Sequence, residues 1–138
     1  MHMVTDGGPH LSLSTRTEHG HLIATLSGVL DIASAPALRE RLLRLLQPAA
    51  SRLVINLSAV RYADASGLAV LVGTGRRARL HGGSLRLAAP APAVAKVLRL
   101  TGMHRQLDIF PTVQAAMTGP PHGQHRHDST TRIGSAPQ

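Results

Sequence analysis

The chain of 138 residues contains no cysteine and no tryptophan, and besides histidine its only aromatic residues are Tyr62 and Phe110. The absence of cysteine excludes disulfide bridges, thiolate catalysis and cysteine-ligated zinc or iron–sulfur sites. Two rings are too few for the stacking platforms that bind single-stranded nucleic acids. No apolar run reaches the roughly 20 residues of a membrane-spanning helix, and the first ten residues lack the regions of a signal peptide. These absences predict a cytoplasmic protein without membrane insertion.

The charged residues are mostly arginine, because Lys96 is the only lysine among 15 basic residues. Seven acidic residues leave a formal net charge of +8, and the whole excess belongs to residues 11–117, since the charges outside that range cancel. A basic folded surface predicts an acidic protein partner. A basic DNA-binding protein stays open as an alternative, because phosphate attraction needs only clustered arginines. No helix-turn-helix spacing is present, and we predict no nucleic-acid partner.

The composition divides the chain into three parts. Residues 1–9 are polar and predict a flexible N-terminus, and residues 119–138 are rich in Pro, Gly, Ser, Thr and His and predict a disordered tail. Residues 10–118 hold enough apolar side chains for one buried core. His122, His125 and His127 in the tail could capture a transition metal, or they simply belong to a polar tail. We predict no cofactor and no metal site in the folded domain.

The pattern of apolar residues predicts alternating strands and helices, which is typical of an α/β domain. Leu11–Glu18 and His21–Leu30 read as two strands that the His19-Gly20 turn joins into an antiparallel hairpin. Ser34 is placed to cap the first helix, and the apolar run 53–57 is expected of a central strand. The other predicted elements are strands at 84–89 and 107–110 and helices at 66–81, 92–100 and 111–117.

The strongest local feature is the junction Tyr62-Ala63-Asp64-Ala65-Ser66-Gly67-Leu68 between the central strand and the second helix. It places the hydroxyl of Ser66 at a helix start, where free backbone N–H groups and the helix dipole favour an anion. Gly67 is expected to keep that hydroxyl accessible. The alternative is that Ser66 is only the N-cap of the helix and Asp64 only a loop carboxylate.

The helix that follows this junction has two different faces. At 100° per residue, the first face is apolar and is expected to pack on the sheet, and it consists of Leu68, Leu71, Val72 and Gly75. The opposite face carries small residues beside Ser66 and two arginines at its far end. We predict that it docks an acidic partner through Val70, Gly73, Arg76 and Arg77, and the alternative is a solvated arginine face.

Six motifs in a fixed order carry a resemblance to a known family. They are Gly28-Val29-Leu30-Asp31, Val54-Ile55-Asn56-Leu57-Ser58, Asp64-Ala65-Ser66-Gly67-Leu68, Arg76-Arg77-Ala78, Gly82-Gly83, and Pro92-Ala93-Val94 through Leu100-Thr101-Gly102. Over residues 11–117 the chain resembles the STAS domain of bacterial anti-sigma factor antagonists. The resemblance implies a single STAS-like α/β domain, with a small mixed β-sheet packed with about four helices.

The resemblance also implies a function and a set of site residues. Members of the family bind an anti-sigma factor that is also a serine kinase, so that a sigma factor is released; phosphorylation of one serine ends the binding, and a serine phosphatase restores it. In this chain the acceptor position is Ser66, although Ala65 replaces the serine that usually precedes it. Asp31 matches an aspartate near the phosphorylation site, and Asp64 and Gly67 flank the acceptor.

Other functions remain as alternatives. Within the same family, the chain could be the STAS module of a stress-signalling or lipid-transport complex. An enzyme would use Ser66 as a nucleophile, but the Gly-x-Ser-x-Gly motif is absent and no histidine lies in a recognisable catalytic context. We therefore predict that the chain is not an enzyme.

Overall fold

One mixed sheet of six strands organises the computed structural model, which describes residues 2–4 and 10–120. The strands lie in chain order; β1 to β3 are antiparallel, and β3 to β6 are parallel. Four α-helices and one 3₁₀ helix complete the described part, so the predicted α/β class is confirmed. The elements are β1 His2–Val4, β2 Leu11–Glu18, β3 His21–Leu30, α1 Ala35–Leu45, β4 Arg52–Ala63, α2 Ala65–Leu80, β5 Ser84–Ala88, α3 Pro92–Leu100, the 3₁₀ helix Met103–Arg105, β6 Asp108–Phe110 and α4 Val113–Thr118.

The β2–β3 hairpin has the turn that its sequence predicts. Glu18 pairs with His21, so that His19 and Gly20 alone form the loop. Both loop residues have positive φ, 49° and 78°. Two positive φ values match a type I′ turn, whose twist fits the twist of the flanking strands. The turn thus determines which residues of β2 and β3 face the core.

The central strand β4 is longer than predicted. The apolar run 53–57 lies within it, but pairing with β3 continues to Ala63, with register shifts after Thr25 and Gly28 of β3. The second half of β4 exposes Ser58, Arg61 and Tyr62, so it lacks the apolar continuity of the first half. This extension carries the chain directly to the start of α2.

The sheet has an apolar core on each face. Leu53 and Ile55 of β4 belong to the larger core, while Val54 between them belongs to the smaller one, as the alternation of a strand requires. The larger core includes buried residues of α1, α2 and α3: Leu38, Leu42, Leu68, Leu71, Ala78, Val94 and Leu98. The smaller core packs under Ala116 of α4. Helices α1 to α3 therefore cover one face and α4 covers the other.

Several details differ from the sequence prediction. Residues 2–4, within the segment predicted to be flexible, form the unpredicted strand β1, which pairs with β2. Ser34 occupies the N-cap position of α1 but makes no capping bond. Its hydroxyl instead donates to the carbonyl of Val29, at the end of β3, and accepts from the N–H of Asp31. Residues 1, 5–9 and 121–138, with His122, His125 and His127, lie outside the described residues.

Candidate functional site

Ser66 is the second residue of α2 and not its cap. The N-cap is Asp64, whose Oδ1 accepts the N–H of Gly67 at 2.9 Å. The interpretation of Ser66 as the cap is therefore wrong, since Asp64 already supplies the capping oxygen. Ser66 is exposed, and its hydroxyl makes no hydrogen bond with any residue that the structure describes. The hydroxyl is thus accessible at a helix N-terminus.

Gly67 also has a structural role that the sequence did not predict. It is buried, and a Cβ at this position would overlap the carbonyl oxygen of Leu30 and lie 2.9 Å from the backbone nitrogen of Asp31. The backbone N–H of Asp64 donates to the same Leu30 carbonyl at 3.1 Å. The absence of a side chain at Gly67 therefore lets α2 begin in contact with the end of β3. This approach requires glycine.

The carboxylate of Asp31 shapes the turn at the end of β3. Its Oδ1 accepts the backbone N–H groups of Ala33 and Ser34, both at 3.0 Å. Because the backbone of Asp31 lies against Gly67, the structure brings Asp31, Asp64 and Ser66 to one end of the sheet. Each of the two carboxylates has one oxygen committed to backbone N–H groups.

A groove between α1 and α2 contains the whole predicted docking strip. It has a volume of about 470 Å³ and runs from the start of α2 towards its end. Its α2 residues include the predicted Ser66, Val70, Gly73, Arg76 and Arg77. The predicted apolar face also packs inward: Leu68, Leu71 and Gly75 are buried, Val72 is half-buried, and Thr74 and Ala78 join them.

The sequence prediction missed the other wall of this groove. Arg39 and Leu43 of α1 line it, and Leu80 lies at its far end with 79% of its surface exposed. No pattern within either helix says which faces will meet, so Arg39 and Leu43 had no signal in the sequence. Leu80 did have one, because it follows Arg77 by three residues on the same face of α2. Two more apolar residues are exposed near the start of α2. Ile32, with 69% of its surface exposed, lies in the turn after β3, and Tyr62, at 55%, lies near the end of β4. A large apolar residue in a polar turn was the available signal for Ile32.

The groove lies on a strongly basic surface. Helices α1 and α2 carry one acidic residue, Glu40, against six arginines: Arg39, Arg41, Arg44, Arg76, Arg77 and Arg79. Arg39, Arg76 and Arg77 make no ion pair with any other described residue. A groove with arginines at its rim and apolar side chains inside fits an acidic segment that also presents apolar residues.

Within residues 2–4 and 10–120, no cluster of three His, Asp or Glu side chains is arranged to hold a metal ion. Nor is any helix of this part long and apolar enough to cross a membrane.

Comparisons with known proteins match the same region. The STAS domain family matches residues 12–116. The anti-sigma-B factor antagonist of Bacillus subtilis (strain 168) is 32% identical over 100 residues, which are 72% of this chain and 91% of that protein. The anti-sigma-B factor antagonist of Staphylococcus aureus (strain NCTC 8325 / PS 47) is 26% identical over 94 residues, or 68% of this chain and 87% of that protein.

A solved structure supports the same assignment. The crystal structure of an anti-sigma factor antagonist from Mycobacterium paratuberculosis aligns with a TM-score of 0.71 and 28% identity, covering 78% of this chain and 92% of that one. Its fold and the family match span the domain that carries Ser66 and the groove. The chain belongs to the STAS domain family.

Proposed function

We propose that this chain is a cytoplasmic anti-sigma factor antagonist. It binds a serine-kinase anti-sigma factor and thereby releases a sigma factor; phosphorylation of Ser66 ends the binding, and a serine phosphatase restores it. The relatives' names support the antagonist role. The observation that carries the switch is the exposed hydroxyl of Ser66, which makes no hydrogen bond with the described residues and lies at one end of the basic groove.

The position of Ser66 suggests how a phosphate would act. A phosphate adds about −1.5 to −2 charges, and a negative charge in the first turn of a helix stabilises that helix by roughly 0.3 to 1 kcal/mol. Phosphorylation is therefore expected to leave the domain folded. The same charge at a partner's acidic surface opposes binding, and about 1.4 kcal/mol already lowers affinity tenfold.

The partner surface extends beyond the acceptor. Tyr62 and Ile32 expose large apolar side chains close to the junction, and interfaces commonly use such residues as anchors. The groove supplies Val70 and Gly73 as its small-residue floor, with Arg76 and Arg77 at the rim. This arrangement favours a partner whose acidic residues surround an apolar centre.

The test begins with the unmodified protein and Ser66→Asp as baits in the native cytosol, followed by mass spectrometry of bound proteins and of Ser66. The recovered kinase is then titrated with the unmodified protein and with protein carrying phosphoserine at 66. We expect the phosphate to weaken binding at least about tenfold while the circular dichroism spectrum stays folded.

Ser58→Asp is the matched control, because Ser58 is also exposed but lies on β4 and does not line the groove. It should bind like the unmodified protein. Equal affinity of the phosphorylated and unmodified proteins would refute the switch, as would loss of the folded spectrum on phosphorylation.

A further inference from the structure

Helices α1 and α2 lie side by side in the same direction. Each follows one parallel strand and returns the chain to the start of the next, α1 between β3 and β4 and α2 between β4 and β5. The start of α2 lies against the end of β3, because Asp64 N–H donates to the Leu30 carbonyl and Gly67 contacts the backbone of Leu30 and Asp31. Both helices therefore run from the same edge of the sheet.

Arg39 and Ser66 line the same groove from opposite helices. Arg39 lies within the first two turns of α1 and Ser66 within the first turn of α2. Helical side chains lean towards the N-terminus, which directs Arg39 back towards Ser66. Arg76 and Arg77 lie about 15 Å further along α2. Among the arginines that line the groove, Arg39 is thus the one nearest the helix starts, and it lies on the wall opposite Ser66.

The guanidinium of Arg39 is available for such a contact. Arg39 is exposed and makes no ion pair or side-chain hydrogen bond with the described residues. The nearby carboxylates of Asp31 and Asp64 each have one oxygen bound to backbone N–H groups. Glu40, the acidic neighbour of Arg39, does not line the groove; it lines an adjoining depression that shares Leu43 and Arg77 with it.

We propose that Arg39 is the intramolecular counterion of phosphorylated Ser66, and that this ion pair bridges α1 and α2 across the groove. The proposal rests on the proposed function for the identity of the acceptor. An arginine fork binds a phosphate through two parallel hydrogen bonds, and the bridge would join α1 to α2 across the open end of the groove. The phosphate then acts in two ways. It adds negative charge, and it pairs with the Arg39 cation, which is then unavailable to an acidic partner.

The test is a ³¹P NMR titration of protein that carries phosphoserine at 66, installed during synthesis. A phosphoserine monoester has a second pKa of about 6, and a neighbouring cation lowers that pKa by favouring the dianion. We expect Arg39→Gln to raise the second pKa of the phosphate by at least about 0.5 units relative to the otherwise unchanged phosphoprotein. Arg39→Lys, which keeps the charge and loses the fork, should give an intermediate value.

Arg44→Gln is the matched control, since it removes the same charge from α1 but Arg44 does not line the groove that contains Ser66. It should leave the phosphate pKa within error of the parent. The proposal is overturned if Arg39→Gln leaves that pKa unchanged, or if Arg44→Gln raises it equally.

The titration requires neither kinase nor anti-sigma factor, so its result is independent of the partner. A lost partner switch together with an intact Arg39 effect would refute the proposed function alone. An intact partner switch without an Arg39 effect would refute the counterion alone. Circular dichroism of each variant confirms that the titrated protein is folded.

Discussion

At the scale of single residues, Gly67 and Gly73 make a contrast within one helix. Both belong to α2, but a Cβ at Gly67 would meet the backbone of Leu30 and Asp31, while a Cβ at Gly73 would meet nothing within 4 Å. Backbone cannot rotate aside as a side chain can, so the two glycines differ in what they tolerate. Gly67 determines how α2 joins the sheet, whereas Gly73 leaves space in the groove.

Alanine substitution should therefore have opposite effects at the two positions. We expect Gly67→Ala to lower the free energy of unfolding by about 2 to 3 kcal/mol, because the added methyl group separates α2 from β3. Gly73→Ala should raise it by about 0.5 to 1 kcal/mol, since alanine is favoured over glycine in an exposed helix interior. Urea denaturation followed by circular dichroism measures both values. Equal effects of the two substitutions would contradict the role assigned to Gly67.

The sequence identifies Gly67 but not its reason. The residue it contacts, Leu30, precedes it by more than thirty positions, and only the pairing of β3 with β4 brings them together. The capping role of Asp64 was equally ambiguous, because Asp64 and Ser66 are both favoured caps near the same helix start. Local chemistry thus predicts that a helix begins here, and tertiary contact decides which residue caps it.

At the scale of elements, the periodicity of apolar residues predicts which face an element buries. It does not predict which other element that face packs against. The alternation of β2 and β3 and the spacing of α2 correctly predict the hairpin and the inward face of the helix. The second half of β4 was missed because its exposed Ser58, Arg61 and Tyr62 do not follow an apolar pattern. Its strand geometry comes from pairing with β3, which no single-strand pattern encodes.

The groove is likewise a property of two elements. The strip Ser66, Val70, Gly73 and Arg77 follows from helical spacing alone. Arg39 completes the site only because α1 packs beside α2, and its own position in α1 indicates no more than an exposed residue. The sequence therefore predicts one wall of the candidate site and leaves the second to the structure.

Charge reversal tests whether the groove binds the acidic partner. We expect the double variant Arg76→Glu and Arg77→Glu to weaken binding of the anti-sigma factor at least about tenfold, because attraction across the groove becomes repulsion. The loss should shrink at high salt, since salt screens exposed charges. Isothermal titration calorimetry at two salt concentrations provides the measurement.

A control of equal charge separates the groove from the net charge of the domain. Arg99→Glu and Arg105→Glu change the charge by the same amount on α3 and the 3₁₀ helix, away from the groove. This pair should retain most of the affinity. If both pairs weaken binding equally, long-range steering by net charge explains the result and the groove does not.

At the scale of the whole molecule, different helices cover the two faces of the sheet. Helices α1 and α2 form the groove over the larger core, and α4 covers the smaller core of Ile23, Val54, Ala88, Phe110 and Ala116 on the other face. Arg86 of β5 ties α4 and the following residues to that second face. Its Nη1 donates to the carbonyls of Ala116 at 2.7 Å and Gly119 at 3.0 Å, and its Nη2 to that of Pro120 at 3.1 Å. Gly119 and Pro120 are thus held against the sheet by Arg86.

The environment of Arg86 is partly apolar. Its guanidinium lies 5.5 Å from the ring centre of Phe110. Asp108 of β6 is the residue opposite Arg86 in the pairing of β5 with β6. Burial lowers the pKa of Arg86, and the nearby Asp108 carboxylate opposes this effect. An arginine still remains protonated throughout the accessible pH range. The contribution of Arg86 to stability should therefore not be lost through its own deprotonation.

Removing the Arg86 cation should destabilise the fold without affecting the groove. We expect Arg86→Met to lower the free energy of unfolding by about 2 to 3 kcal/mol, because it removes three donated hydrogen bonds and takes the cation from the buried Asp108. Adding Asp108→Asn to that variant should recover part of the loss, since the uncompensated charge disappears. Arg61→Met, at an exposed position of β4, should change stability by no more than about 0.5 kcal/mol. Urea denaturation gives the stabilities, and calorimetry with the anti-sigma factor should find unchanged affinity for folded Arg86→Met. Reduced affinity at full folding would show that the two faces are coupled, contrary to this expectation.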